Sequence, residues 1–134
     1  MPQLQNLILT DRATTPVDHT FVPNGVSSPE NIGEVIESNG VPFGNRRVTI
    51  QMKKLASGRF QASLRMVFPV LVTETINGIQ RDTVLRTSYA DLKFTFDGSS
   101  TQQERNNMVG MLQSALNVDK TLVHDTIVNL TTVY

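Results

Sequence analysis

The chain contains no cysteine, so disulfides and thiolate chemistry are excluded, and the composition fits assembly in a reducing compartment. No apolar run approaches the roughly 18 residues that suggest a membrane span. The longest, Met66 to Val72, is interrupted by Pro69. A basic region followed by an apolar stretch and a small-residue cleavage site is missing from the N-terminus, so no secretory signal is expected. No HExxH, CxxC or EF-hand pattern occurs, and no GxGxxG or GxxxxGK[ST] cradle for phosphates. The only two histidines are His19 and His124. His124-Asp125 are sequence neighbours on an expected helix, where adjacent side chains do not face each other, so they form no catalytic dyad. The expectation is therefore no catalytic residue, no metal site, no cofactor and no membrane. Asn129-Leu130-Thr131 matches the glycosylation sequon but is read as a chance match.

The 134 residues have the size of one domain, and their formal charge is zero. That charge is unevenly placed. Residues 46–93 hold nine bases and three acids, which leaves +6, and the remainder holds three bases and nine acids, which leaves −6. A neutral chain with a basic middle can bind a polyanion there, although ordinary scatter on solvated strands is the alternative.

The first two-thirds reads as strand and the last third as helix, a single α+β domain over 1–134. An N-terminal hairpin is expected within 1–23, from Leu4–Leu9 and Asp18–Val22. A Pro-, Gly- and Ser-rich loop is expected from Pro23 to Pro29, then the main sheet over 30–97 and a helical part over 100–134. The clearest signal is alternation. Val48, Ile50 and Met52, then Phe60, Ala62, Leu64, Met66 and Phe68, then Ala90, Leu92, Phe94 and Phe96 are apolar at every second position. Period two places each set on one sheet face and the intervening residues on the other. Ser99-Ser100-Thr101 followed by Gln103 and Glu104 offers a capping-box helix start. Met108, Met111, Leu112, Ala115 and Leu116 continue at helical spacing. Asp119 can cap a second helix bearing Leu122, Val123, Ile127 and Leu130. Two short helices offer limited cover for so long a sheet, so a second subunit's helices are expected to help; helices folding onto their own sheet is the alternative.

The polar face carries the candidate site: Thr49, Gln51, Lys53, Arg59, Gln61, Ser63, Arg65, Tyr89, Asp91 and Lys93. RNA recognition needs cations for phosphates, short polar groups for base edges and a ring on which an unpaired base stacks. This face has all three, with Tyr89 as the ring; a solvated sheet face with a cross-strand tyrosine is the other reading. An RNA-recognition-motif domain is not indicated, because its interleaved aromatics are absent.

Val48-Thr49-Ile50-Gln51-Met52-Lys53, then Ser63-Leu64-Arg65-Met66-Val67-Phe68-Pro69, then Thr75-Ile76-Asn77-Gly78-Ile79 and Arg86-Thr87-Ser88-Tyr89-Ala90-Asp91-Leu92 follow in order. In that order they resemble the coat proteins of levivirus-type single-stranded-RNA bacteriophages. The resemblance implies an N-terminal hairpin, a five-stranded antiparallel sheet and two C-terminal helices lying across the partner subunit's sheet. It also implies a homodimer with a continuous sheet, closing into an icosahedral shell in the bacterial host cytoplasm, with the virion as final location. The implied inner face binds single-stranded genomic RNA, including a hairpin at the replicase start whose binding represses translation. Carried over to this chain, that face comprises Thr49, Gln51, Lys53, Gln61, Ser63, Arg65, Tyr89 and Asp91. Gln61 stands where lysine is common, Asp91 where asparagine occurs and Gln51 where serine sits. The resemblance further implies a long loop around residues 70–83, opened by Pro69, with Asn77-Gly78 at its tip. A non-assembling sheet-type RNA-binding repressor is the alternative function.

Overall fold

The computed structural model of the chain describes residues 2–134. Six strands form one antiparallel meander in which each strand neighbours the next in sequence. They are β1 (Leu7–Thr10), β2 (Asp18–Ser27), β3 (Ile32–Glu37), β4 (Arg46–Lys54), β5 (Phe60–Ile76) and β6 (Ile79–Phe96). Two helices follow, α1 (Gln102–Ala115) and α2 (Thr121–Val128). The chain divides into two compact units, one ending at Thr95 and one spanning Phe96–Tyr134.

The alternation in sequence becomes a two-faced sheet because the register keeps parity. Val48 lies opposite Met66, Ile50 opposite Leu64 and Met52 opposite Ala62, while Thr49 faces Arg65, Gln51 faces Ser63 and Lys53 faces Gln61. An even position always meets an even one, so both strands send their apolar residues to the same side. On that side Val35 pairs with Val48, and among the described residues Phe21, Val35 and Val48 form the buried hydrophobic core, Phe21 and Val48 fully so.

The sheet is strongly curled at its N-terminal end. Phe21 on β2 and Phe68 on β5 stack with ring centroids 6.1 Å apart, although β3 and β4 lie between them. In a flat sheet three steps of about 4.8 Å would separate them by roughly 14 Å. The curl is built into β2. Its first half, Asp18 to Phe21, pairs with β1, and its second half, from Val22 to Ser27, pairs with β3. Leu4 and Leu9 are thereby brought against the core beside Phe21.

Three expectations are modified. The sheet has six strands because β2 belongs to hairpin and sheet alike. The expected loop from Pro23 is largely strand: β2 continues to Ser27 by a bulge that takes up Asn24 between the pairs Pro23–Val35 and Gly25–Glu34. Residues 70–83 form two strands joined by Asn77-Gly78, not a long loop. Asn77 has φ 51° and Gly78 φ 79°, the left-handed pair that a two-residue hairpin requires. Pro69 is tolerated inside β5 because the β4–β5 ladder ends at the Arg47–Val67 pair, so no β4 carbonyl awaits its missing N–H.

In the helical unit the Thr101 hydroxyl accepts from the Glu104 N–H at 3.2 Å, as the capping box predicts. Asp119 does not cap α2. Lys120 occupies that position without a side-chain cap, and its ammonium lies 3.8 Å from Asp119. Neither helix contains a buried residue.

Candidate nucleic-acid interface

The cross-strand pairs assemble the polar face directly. Thr49, Gln51 and Lys53 of β4 stand beside Arg65, Ser63 and Gln61 of β5. β6 contributes to the same face, because the Arg65 guanidinium lies 5.6 Å from the Tyr89 ring centroid and its Nε sits 3.4 Å from Asp91 Oδ1. Strand alternation then puts Lys93 on this side with Tyr89 and Asp91. Arg59 is not in the ladder. It precedes β5 in the β4–β5 turn, where its carbonyl accepts from the Leu55 N–H at 2.7 Å. The site is therefore one contiguous patch with Arg59 at its edge.

Sequence reasoning missed two members. Arg47 pairs with Val67 two places from Thr49 and so shares its face, and Glu34 of β3 lies opposite Thr49. The parity of Arg47 was visible, but its strand was expected to begin one residue later; Glu34 needed the β3–β4 register.

The patch is open and mostly uncommitted. Tyr89 is 62% exposed. Among the described residues Arg47, Lys53, Arg59 and Lys93 make no ion pair, whereas Arg65 is held by Asp91 and stacked on Tyr89. Gln51 donates to the Glu30 carbonyl at 3.2 Å, so its amide is partly engaged. The arrangement offers free cations for phosphate, hydroxyls and amides for base edges, and a tyrosine ring already serving as a stacking platform for a planar cation. Asp91 opposes a polyanion, and its pairing with Arg65 partly cancels both charges. Among the described residues no group of acids and histidines has metal-site geometry.

A second polar cluster lies away from this patch. His19 Nε2 is 2.8 Å from Asp11 Oδ2 and its Nδ1 is 2.7 Å from Glu37 Oε2, while Arg46 also reaches Glu37 at 3.3 Å. Both ring nitrogens can donate to carboxylates only when the imidazole is protonated. The hydrogen bonds to Asp11 and Glu37 raise the His19 pKa above 6.5. The His19 hydrogen bond and the N–H groups of Val17 and Ala13 lower Asp11 from 3.8 to about 2. His19 stabilisation is complete below the unfolded pKa of 6.5 and is lost as pH rises through the higher folded value. The Asp11 contribution is present above 3.8 and is lost as pH falls towards about 2. Urea midpoints are thus expected to be highest between these limits. His19→Gln should remove the alkaline fall and shrink the acid one to the part that the Val17 and Ala13 N–H groups sustain on Asp11; an unchanged alkaline limb would show that His19 does not bridge the two carboxylates in solution.

The family model described as Levivirus coat protein matches residues 2–134. The chain is 53% identical to the capsid protein of Pseudomonas phage PRR1 over 132 residues, covering 98% of this chain and 99% of the relative. It is 30% identical to the capsid protein of Qbeta virus (strain MX1) over 112 residues, 84% of this chain and 83% of that one. Among solved structures, the virus-like particle of bacteriophage ESE058 superposes with a TM-score of 0.85 at 25% identity, covering 99% of this chain and 100% of that one. The bacteriophage GA protein capsid gives 0.80 at 21% identity, covering 98% of both chains, and shares the fold.

Proposed function

Because this chain belongs to the levivirus coat protein family, we propose that it is the structural subunit of an icosahedral phage shell, acting as one coat-protein domain. It pairs into homodimers in the bacterial cytoplasm, and the dimers close around the single-stranded RNA genome to form the virion. The polar sheet face binds that RNA, including an operator hairpin whose occupancy represses replicase translation.

One observation supports assembly above the others: the single chain leaves its apolar surface uncovered. Ile50 and Met52 on the apolar sheet face are each 57% exposed, and Met108, Met111, Leu122 and Ile127 on the helices are exposed too. Burying such a side chain fully is worth about 1.5–3 kcal/mol, so several of them strongly favour a second copy. β6 adds a backbone reason. It is 18 residues long and ends the sheet, so from Ile79 to Leu92 no further strand of the described chain lies alongside it. Long open edges attract pairing, and a two-fold copy of β6 makes one continuous sheet. Helices laid across the partner's apolar face would complete the cover.

Expressing the chain alone and examining it by electron microscopy and size exclusion tests the reading. Closed particles containing nucleic acid are expected. A monomer stable across salt and pH would overturn the shell function, and a dimer that binds RNA without closing would favour a free repressor.

Replacing Lys53 and Arg65 together by alanine tests the face. Each lost phosphate contact on a single strand removes about 0.7 from the slope of log K against log salt, so the double variant should flatten it by roughly 1.4 and weaken binding at low salt. An unchanged slope would place the RNA elsewhere.

A further inference from the structure

The sequence contains three Asn-Gly pairs, Asn24-Gly25, Asn39-Gly40 and Asn77-Gly78. Asn-Gly is the dipeptide in which a carboxamide most readily meets the following backbone nitrogen, because glycine has no side chain to shield it. From the three environments we infer that Asn77 is the chain's site of spontaneous, site-selective deamidation, a self-modification that places a carboxylate at the tip of the β5–β6 hairpin.

In the reaction the Gly78 backbone nitrogen, having given its proton to base, attacks Asn77 Cγ. The N–Cγ bond forms, the Cγ–Nδ2 bond breaks and the nitrogen leaves as ammonia after taking up a proton, giving a cyclic succinimide. Water opens the ring at either carbonyl, yielding aspartate or isoaspartate. The net change is water in and ammonia out, with no redox step and no catalyst.

The first two asparagines are held away from this path. The Asn24 amide donates to Glu34 Oε1 at 2.7 Å, inside a bulge flanked on both sides by paired residues. Asn39 is fixed three times: its amide donates to the Gly44 carbonyl at 2.8 Å, its side-chain oxygen accepts from the Val41 N–H at 3.1 Å, and its own N–H donates to Asn45 Oδ1 at 3.3 Å. The Gly40 N–H, which would be the nucleophile there, points to Ser38 Oγ at 3.5 Å.

Asn77 differs in its hydrogen bonding. All three asparagines are exposed, but the Asn77 carboxamide makes no hydrogen bond to the described residues. Nothing lies within 4 Å of the position a Cβ would take on Gly78, as is also true at Gly25 and Gly40. The flanking Ile76 and Ile79 are themselves exposed, so only the turn itself, and no buried side chain, must give for Gly78 N to reach Cγ. Glu74 and Asp82 lie on the same hairpin, with Arg81 its one basic side chain between Ile76 and Asp82, so the new carboxylate makes the tip more acidic.

The test is to hold the full-length protein as purified at mildly alkaline pH and body temperature, with a second sample in concentrated urea. Both are digested over time, and the three Asn-Gly peptides are followed by tandem mass spectrometry, with isoelectric focusing of the intact chain. In urea the three should react at similar rates. In the folded protein Asn77 should react at least about tenfold faster than Asn24 or Asn39, as expected when one or two hydrogen bonds must first break at the slower sites. Asn77→Gln should abolish the acidic band that accumulates in the folded sample. Equal rates at the three sites in the folded chain, faster reaction at Asn24 or Asn39, or an acidic band that persists in Asn77→Gln would each overturn the inference.

Discussion

Phe21→Ala is expected to cost about 3–5 kcal/mol of folding free energy, seen as a large fall in the urea midpoint by circular dichroism at fixed protein concentration. Phe21 is 1% exposed and stacks on Phe68, whose other neighbours include the Arg46 guanidinium 5.6 Å from its ring centroid. It is the contact through which the curled end of β2 reaches β5. Removing the ring leaves a cavity bounded by Val35, Val48, Leu64, Met66 and Phe68. It also loosens the hold on Leu4 and Leu9. Typical domains have about 5–15 kcal/mol in total, so the variant should be unfolded or close to it at moderate temperature. Phe21→Leu retains most of the volume and should lose clearly less. If Phe21→Leu falls as far as Phe21→Ala, the ring stack on Phe68, rather than the volume filled, carries most of this stability.

The second large effect concerns Met111. The side chain is 72% exposed on α1, so the helical unit's own folding does not depend on burying it. If the helices cover a partner's sheet, Met111→Asp places an unpaired carboxylate in an apolar interface. A cost of about 4 kcal/mol corresponds to roughly a thousandfold in the dimer dissociation constant. Size exclusion should then show a shift to monomer and electron microscopy a loss of particles, with far-ultraviolet dichroism unchanged. Gln113→Asp, on the opposite side of α1, supplies the control and should leave assembly intact. Normal particles from Met111→Asp would mean that this face of α1 is solvated in the assembled protein.

Much of this architecture is legible in the sequence. Alternation from Val48 to Phe68 depends only on period two, and the observed register preserves it, so the residues named for the polar face lie together. The capping box at Thr101 is local as well. What sequence concealed was decided by partners distant along the chain. Pro23, Asn24 and Gly25 look like a loop, and only the pairing with β3 makes them strand. Residues 70–83 lack alternation because both sides are largely solvated, and the strand state shows in pairing such as the Thr73 hydroxyl donating to Asp82 at 2.9 Å. The His19 bridge joins residues eight and eighteen positions away, a spacing that no motif encodes.

The meander topology has a consequence for the order of events during synthesis. Every strand pairs with its neighbour in sequence, so no strand must wait for a distant partner and each hairpin closes at small entropic cost. Chains emerge N-terminus first, so pairing can keep pace with translation through β6 before α1 and α2 have been made. A nascent subunit would then present a finished sheet, apolar side included, some tens of residues before it owns the helices that could be exchanged with another copy. In the proposed dimer, pairing of two subunits through their helices would thereby be postponed to the end of translation, when both members can contribute equally.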